Sequence, residues 1–378
     1  MRTNEQQPRR DAPLRWPQKL GLALASLAVS LLVAEGAARL LHRSAFPFLN
    51  LYVADPELGV RLLPSASSRV RSREGRIAEI RTNALGFRGP AWPAPGDHVV
   101  PGRVLLLGDS QMFGYGVAYE ASLAGRLPAL LGREAEVLNA AVPSWGPPEY
   151  EKILAELGPR YRPEVVLFVA NLANDWFEAS VGNERRTSAQ DGWAVRASPQ
   201  GTPAAASSWL RTLLFGRSHL VLAVRELWEH HQRQDRSMPP EAASQLTHDL
   251  EQLRRPTGGH RSVITPYLLA AARKCRALGC RVVAVALPID VLVDAREWRK
   301  YRGAPIDLEP TAVLLEEFLD EARAAGVETL NLLPTLRDAS PGAFLPDDYH
   351  LSERGHAAVA RAIAASLSPT PTFAGARP

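Results

Sequence analysis

The chain has 378 residues, 46% hydrophobic and 22% charged, a globular composition that excludes wholesale disorder, a collagen-like repeat and a polytopic membrane protein. The formal charge is +4, but only four of the 44 basic residues are Lys, and the Arg residues are scattered without a basic block or an aromatic-interleaved stripe. That pattern argues against nucleic acid as a partner. Two cysteines, Cys275 and Cys280, are too few for a disulfide scaffold or a Cys-ligated zinc site; two buried thiols are the expectation, with a disulfide as the alternative.

Residues 1–43 read as a cytoplasmic n-region and a membrane anchor. Arg2, Arg9, Arg10, Arg15 and Lys19 precede an apolar run, Leu20 to Ala34, and a mixed tail continues the run to Leu41. With that tail the stretch reaches the roughly 20 residues that a span needs. Glu35 and Arg39 then fall near the far interface, where long side chains can snorkel. The rival reading is a cleaved signal peptide with its site near Ala34 and Gly36. The long n-region and the continuing apolar pattern favour the anchor. Either way, the excess of positive charge before the run exports everything beyond residue 43 to the periplasmic side.

Residues 44–100, punctuated by Gly and Pro, are expected to form a linker and a small β-hairpin. From residue 101 to 368 the pattern alternates between strand and helix. Apolar runs at 103–108, 136–142, 164–171, 281–287 and 327–333 read as buried strands. Amphipathic segments at 119–132, 148–158, 266–279, 311–326 and 352–367 read as helices. Continuous apolar strands between helices imply an α/β fold: a three-layer αβα sandwich around a five-stranded parallel sheet of flavodoxin-like order. A polar insertion, about residues 178–262, interrupts it. Within that insertion, 208–231 carries Leu210, Leu213, Leu214, Leu220, Val221, Val224, Leu227 and Trp228 at helical spacing. This stripe suits a lid or a surface meeting acyl chains or membrane; a cap that buries its own stripe on the domain is the favoured expectation. Residues 369–378 read as a disordered tail.

Four short segments follow strands at one edge of the sheet, where an open α/β fold binds ligands. Gly108-Asp109-Ser110-Gln111 ends the first strand. A serine there, before the Gly-rich FGYG turn and a helix, sits where backbone N–H groups favour developing negative charge. The surrounding residues fit neither a phosphate loop, nor a dinucleotide fingerprint, nor a G-x-S-x-G elbow, because Met112 stands where the second Gly would be. Asp347-Asp348-Tyr349-His350 follows the last strand. A nucleophilic serine needs a base, and the base needs a carboxylate to fix its tautomer. Asp347, three residues before His350, lies one helical turn away and is the expected partner. A metal held by Asp347, Asp348 and His350 would lack further ligands. Asn139 to Gly146, with Ser144, follows the second strand, and Asn171-Leu-Ala-Asn174-Asp175 follows the third. Both bring backbone N–H groups and an amide toward the first strand.

Taken together, GDS, NAAVPSWG, ANLAND and DDYHLSERGH resemble the SGNH hydrolase family, also called GDSL-like esterases and lipases, over about residues 101–368. The preceding TNALGFRG and the anchor resemble a membrane-anchored bacterial branch associated with cell-surface glycans. The resemblance implies Ser110 as nucleophile, His350 as base and Asp347 as orienting acid. It implies an oxyanion hole from the Ser110 N–H, the Ser144 N–H and the Asn174 amide, supported by Gly108, Asp109, Asn139 and Asp175. It also implies a serine esterase acting on an acylated glycan or a lipid, without cofactor or metal; the alternatives are an O-acyltransferase that uses the same triad on a cell-surface glycan, or a non-catalytic glycan-binding scaffold. One position departs from the pattern: Ser144 stands where the family carries Gly, which narrows the acyl site or demands an unusual backbone angle.

Overall fold

The computed structural model describes residues 15–72, 75–132, 135–197, 209–234, 262–301, 305, 308–346 and 348–367. The first 14 residues, most of the insertion beyond residue 234, Asp347 and the tail expected to be disordered lie outside them.

In chain order the helices are α1 (Trp16–Leu41), α2 (Ser110–Phe113), α3 (Leu123–Leu131), α4 (Pro147–Tyr161), α5 (Asp175–Glu178), α6 (Asn183–Arg186), α7 (Trp209–Arg217), α8 (His219–Gln234), α9 (Thr265–Leu278), α10 (Asp290–Val293), α11 (Glu309–Ala324), α12 (Leu333–Ala339) and α13 (Glu353–Leu367). The strands are β1 (Tyr52–Asp55), β2 (Gly59–Leu62), β3 (Ser67–Arg71), β4 (Ile77–Arg81), β5 (Val100–Leu107), β6 (Glu136–Asn139), β7 (Pro163–Asn171), β8 (Thr187–Gln190), β9 (Trp193–Arg196), β10 (Arg281–Leu287) and β11 (Glu328–Asn331).

The central sheet is five-stranded and runs β11-β10-β7-β5-β6, with every pair parallel. This is the flavodoxin-like order that the alternation of elements implies. Its strands are apolar along their length because both faces are covered: Val104 to Leu107, Val166 to Ala170 and Val283 to Leu287 are all buried. Helix α3 packs with α13, while α4, α9 and α11 pack side by side. The strand order reverses between β5 and β7, so the ends of those two strands flank the crevice.

Residues 44–100 hold two antiparallel hairpins, β1–β2 and β3–β4, where one was expected. They are part of the core. Leu49, Leu51, Tyr52, Leu58, Val60 and Leu62 are buried, and the Trp145 indole donates to the Val60 carbonyl at 2.8 Å. The insertion contributes a third hairpin, β8–β9, which packs on the first. Cys275 and Cys280 are buried free thiols.

Helix α1 is long and apolar enough to cross a membrane, and none of its apolar window is buried inside the protein. On the stripe of α7 and α8, expected to pack against the domain, Leu220 and Val221 are half-buried while the rest stays open. Leu213 is 51% exposed, Leu227 70% and Trp228 64%.

Candidate active site

Strand β5 ends in a turn that only glycine permits. A Cβ on Gly108 would lie 2.5 Å from Met112, and the chain turns there directly into α2. Asp109 caps that short helix, its carboxylate accepting from the Gln111 N–H at 2.9 Å, which leaves Ser110 at the first helical position. The Ser110 Oγ lies 2.8 Å from His350 Nε2. His350 Nδ1 lies 2.9 Å from a carboxylate oxygen of Asp348. A hydroxyl, an imidazole and a carboxylate in one hydrogen-bonded line form the arrangement that activates a serine nucleophile.

The carboxylate that the structure places on the imidazole is Asp348; Asp347, the acid expected from a one-turn spacing, lies outside the described residues. The Leu345 N–H donates to the His350 carbonyl at 2.8 Å and the Asp348 N–H to the Leu345 carbonyl at 3.3 Å, and with these contacts Asp348, two residues before His350, reaches the ring.

Electrostatics fit the geometry. Burial alone would favour neutral His350, but the Asp348 charge and hydrogen bond outweigh it, with help from Asp109 and Asp290, and the imidazole is held above its ordinary pKa. Burial also opposes the Asp348 charge, but the facing imidazole and its hydrogen bonds win and keep the carboxyl below the ordinary range. Two rings flank the base: Tyr349 stacks at 4.5 Å between centroids, and Tyr115 lies at 5.1 Å.

The turn after β7 reaches the same edge through Asp109. The Asn171 amide donates to Asp109 at 2.8 Å, and Asn174 also hydrogen-bonds that carboxylate. The Asn174 Nδ2 donates to Glu178 at 2.8 Å. An amide nitrogen carries two hydrogens, and with Asp109 and Glu178 both accepting, each faces a carboxylate. Asp175 does not face the serine. It accepts from the Asn171 N–H at 2.8 Å and from the Tyr150 hydroxyl at 3.2 Å, and burial drives its pKa well above normal. Asn139 acts similarly on its own turn, accepting from the Ala141 N–H at 3.1 Å and donating to the Met112 carbonyl at 3.3 Å.

Ser144 adopts φ +82°, the left-handed angle that favours glycine. Its carbonyl accepts from Arg186 at 3.2 Å, and it hydrogen-bonds the Tyr52 hydroxyl. Arg186 in turn pairs with Glu178 at 2.7 Å, which ties the Ser144 loop to the group that orients Asn174.

Several supporting residues escape sequence reasoning. Gln111 clamps the histidine loop, donating to the Tyr349 carbonyl at 3.1 Å and accepting from the Leu351 N–H at 2.9 Å. Lys300, almost fully buried, donates to the Asp348 carbonyl at 2.9 Å and pairs with Asp290 and Glu297. Arg88, inside the TNALGFRG segment, is 1% exposed and donates to the carbonyls of Phe113, Gly114 and Val117. It thereby holds the turn that presents Tyr115, and burial lowers its pKa to about 10. A pattern of Gln, Lys and Arg carries no sequence signal for these contacts, because the partners are backbone carbonyls and N–H groups distant in sequence. His356, the second histidine of the closing motif, accepts from the Leu123 N–H at 3.2 Å, and burial drops its pKa to about 3; it is a neutral packing residue.

Residues 259–378 match the family described as SGNH hydrolase-like domain, acetyltransferase AlgX. That match covers about a third of the chain, and in it the chain resembles the SGNH hydrolases. No curated protein matches. Among solved structures, a member of the lipolytic protein G-D-S-L family from Veillonella parvula is similar at 11% identity and a TM-score of 0.39, over 71% of this chain and 99% of that one. A GDSL-like lipase from Bacteroides thetaiotaomicron is 10% identical over 69% of this chain and 85% of its own, with a TM-score of 0.36. The psychrotrophic esterase EstA from Pseudoalteromonas sp. is 12% identical over 70% of this chain and 96% of its own, with a TM-score of 0.36.

Proposed function

We propose that this chain is a membrane-anchored, periplasmic serine enzyme that takes an acyl group from an ester onto Ser110 and releases it to water. The observation that carries the reading is the line Ser110 Oγ, His350 Nε2 at 2.8 Å, and Asp348 on Nδ1 at 2.9 Å. Ser110 Oγ attacks the ester carbonyl as its proton passes to His350 Nε2. The tetrahedral oxyanion draws on the Ser110 and Ser144 N–H groups and the Asn174 amide. Collapse breaks the bond to the alcohol, which leaves with the proton from His350. Water then attacks the acyl-serine, His350 takes its proton, and the acid departs as Ser110 is restored. No cofactor or metal enters this sequence of steps. The substrate is an ester of a glycan or a lipid-like alcohol.

A second reading replaces water by a hydroxyl of a cell-surface glycan, making the enzyme an O-acyltransferase. The description of the matching family, an acetyltransferase, favours it. The steps are the same until deacylation. The full chain is incubated with chromogenic esters from acetyl to dodecanoyl, with and without an oligosaccharide acceptor, alongside Ser110→Ala. Hydrolysis releases free acid regardless of acceptor; transfer yields an acylated sugar by mass spectrometry. Absence of Ser110-dependent turnover under every condition would overturn both.

A further inference from the structure

We infer that α7 and α8 lie in the outer face of the bilayer beside α1, with their exposed apolar side chains among the upper acyl chains. The catalytic domain is then seated on the membrane in one orientation rather than swinging from a tether. This rests on the reading of α1 as a spanning anchor.

The depth of Glu35 carries the argument. Lys19 and Arg39 are twenty residues apart, about 30 Å of helix at about 1.5 Å per residue, which matches a hydrocarbon core of about 30 Å. Glu35, one turn before Arg39, falls just inside the outer boundary, where an unpaired carboxylate is costly. It is fully paired. Arg39 Nε donates to it at 2.7 Å, the Ser218 hydroxyl at 2.7 Å, and the N–H groups of His219 and Leu220 at 3.1 and 2.9 Å. Three of those four donors form the start of α8. The beginning of α8 is therefore held at the depth of Glu35, and the α7–α8 pair cannot stand clear of the membrane.

What the pair shows outward fits that depth. Leu213, Phe215, Val224, Leu227 and Trp228 are each more than half exposed. A contiguous bare apolar patch of this kind is foreign to a solvated surface, and a Leu/Trp face on a polar-backed helix suits the acyl–headgroup boundary. The flank of α1 is bare as well, including Leu40 and Leu41, both 81% exposed, and α8 packs beside α1. Lipid is the occupant that covers both at once.

Depth-dependent fluorescence quenching tests this in the full chain, reconstituted in vesicles of phosphatidylcholine and phosphatidylglycerol. Single cysteines replacing Leu27, Leu213, Leu227 or Val313 carry an environment-sensitive dye, with the unsubstituted chain as blank for the buried Cys275 and Cys280. Nitroxide lipids labelled deep or shallow on the acyl chain are the quenchers. Position 27 is quenched by the deep label, positions 213 and 227 by the shallow one, and position 313 by neither. Quenching at 27 without quenching at 213 and 227 overturns the docking and leaves the anchor standing. No quenching at 27 overturns the anchor reading and the docking with it. A blue-shifted but unquenched dye at 227 means that protein covers the patch, either another segment of this chain or a second copy, and also overturns the docking. In the variant L227D/W228D, the dye at 213 loses its quenching while position 27 keeps it and hydrolysis of a small soluble ester is unchanged. Retained quenching at 213 in that variant would show that the α8 face does not seat the pair.

Discussion

At the sheet edge beyond β5 and β7, the groups around the serine are paired within the protein: both oxygens of Asp109, both ends of the Gln111 amide, and the ammonium of Lys300. At the outer end of α1 the Glu35 carboxylate is paired too, but the large apolar side chains are left bare. The first region is held by its own polar contacts; the second keeps an apolar face open among the described residues. Preorganisation demands the former, because a nucleophile and base must be held by groups that do not move. Attachment demands the latter, because surface buried at home cannot be buried again on a partner.

The contrast can be broken at its strongest point first. Ser110→Ala removes the nucleophile, so labelling by a fluorophosphonate should vanish and ester turnover should fall by at least about 10³-fold. His350→Ala should cost a similar amount, and the double variant little more, because the two act as a unit. Additive losses measured in kcat/KM would contradict the pairing.

Next in size is the choice between neighbouring aspartates. Asp348→Asn should lower kcat by roughly 10²–10⁴-fold through the wrong imidazole tautomer, whereas Asp347→Asn should retain most of the activity. The pH profile gives an independent reading. His350 must be neutral to accept the serine proton, and its pKa is raised above the usual value of about 6.5 chiefly against burial by the Asp348 charge. The rate should thus climb as pH rises through a midpoint above about 6.5, and in Asp348→Asn that midpoint should move down. An unmoved midpoint would mean that Asp348 does not set the base.

Asn174→Ala should reduce kcat by about 10²–10³-fold, or about 3–4 kcal/mol, with little change in KM, since an oxyanion donor strengthens as charge develops. Equal changes in both parameters would assign Asn174 to ground-state binding.

Ser144→Gly should give the smallest effect. It relieves a left-handed angle that costs about 1–2 kcal/mol for a residue with a Cβ, and it loses one hydrogen bond to Tyr52 of about 1 kcal/mol. Thermal unfolding should shift by no more than a few degrees and kcat by a few-fold. A large kcat loss would show that the hydroxyl, not the backbone N–H, serves the oxyanion.

Sequence periodicity alone determined the sheet. Val104 to Leu107 and Val283 to Leu287 are apolar without alternation because helices cover both faces, and that pattern needs no tertiary knowledge to read. The pairing of Ser110 with His350 was legible too, although α12 stands between β11 and the histidine. Boundaries were less so. Helix 119–132 begins only at Leu123, because Ser122 accepts from the Gly125 N–H at 3.3 Å and caps it, leaving Tyr119–Ala121 as a separate tight turn.

Three features were decided only by the folded chain. Asp348 reaches the base with the chain pinned between Leu345 and His350, a contact that depends on where α12 and α13 leave its ends. Arg88, Gln111 and Lys300 act through backbone carbonyls and N–H groups brought near by the fold, and backbone groups are the same in every sequence. The stripe on α7 and α8 is visible as a stripe, but periodicity states only that one face is apolar. Whether protein or lipid covers that face depends on the Glu35 pairing that fixes α8 beside α1, a contact between residues more than 180 positions apart that no local pattern encodes.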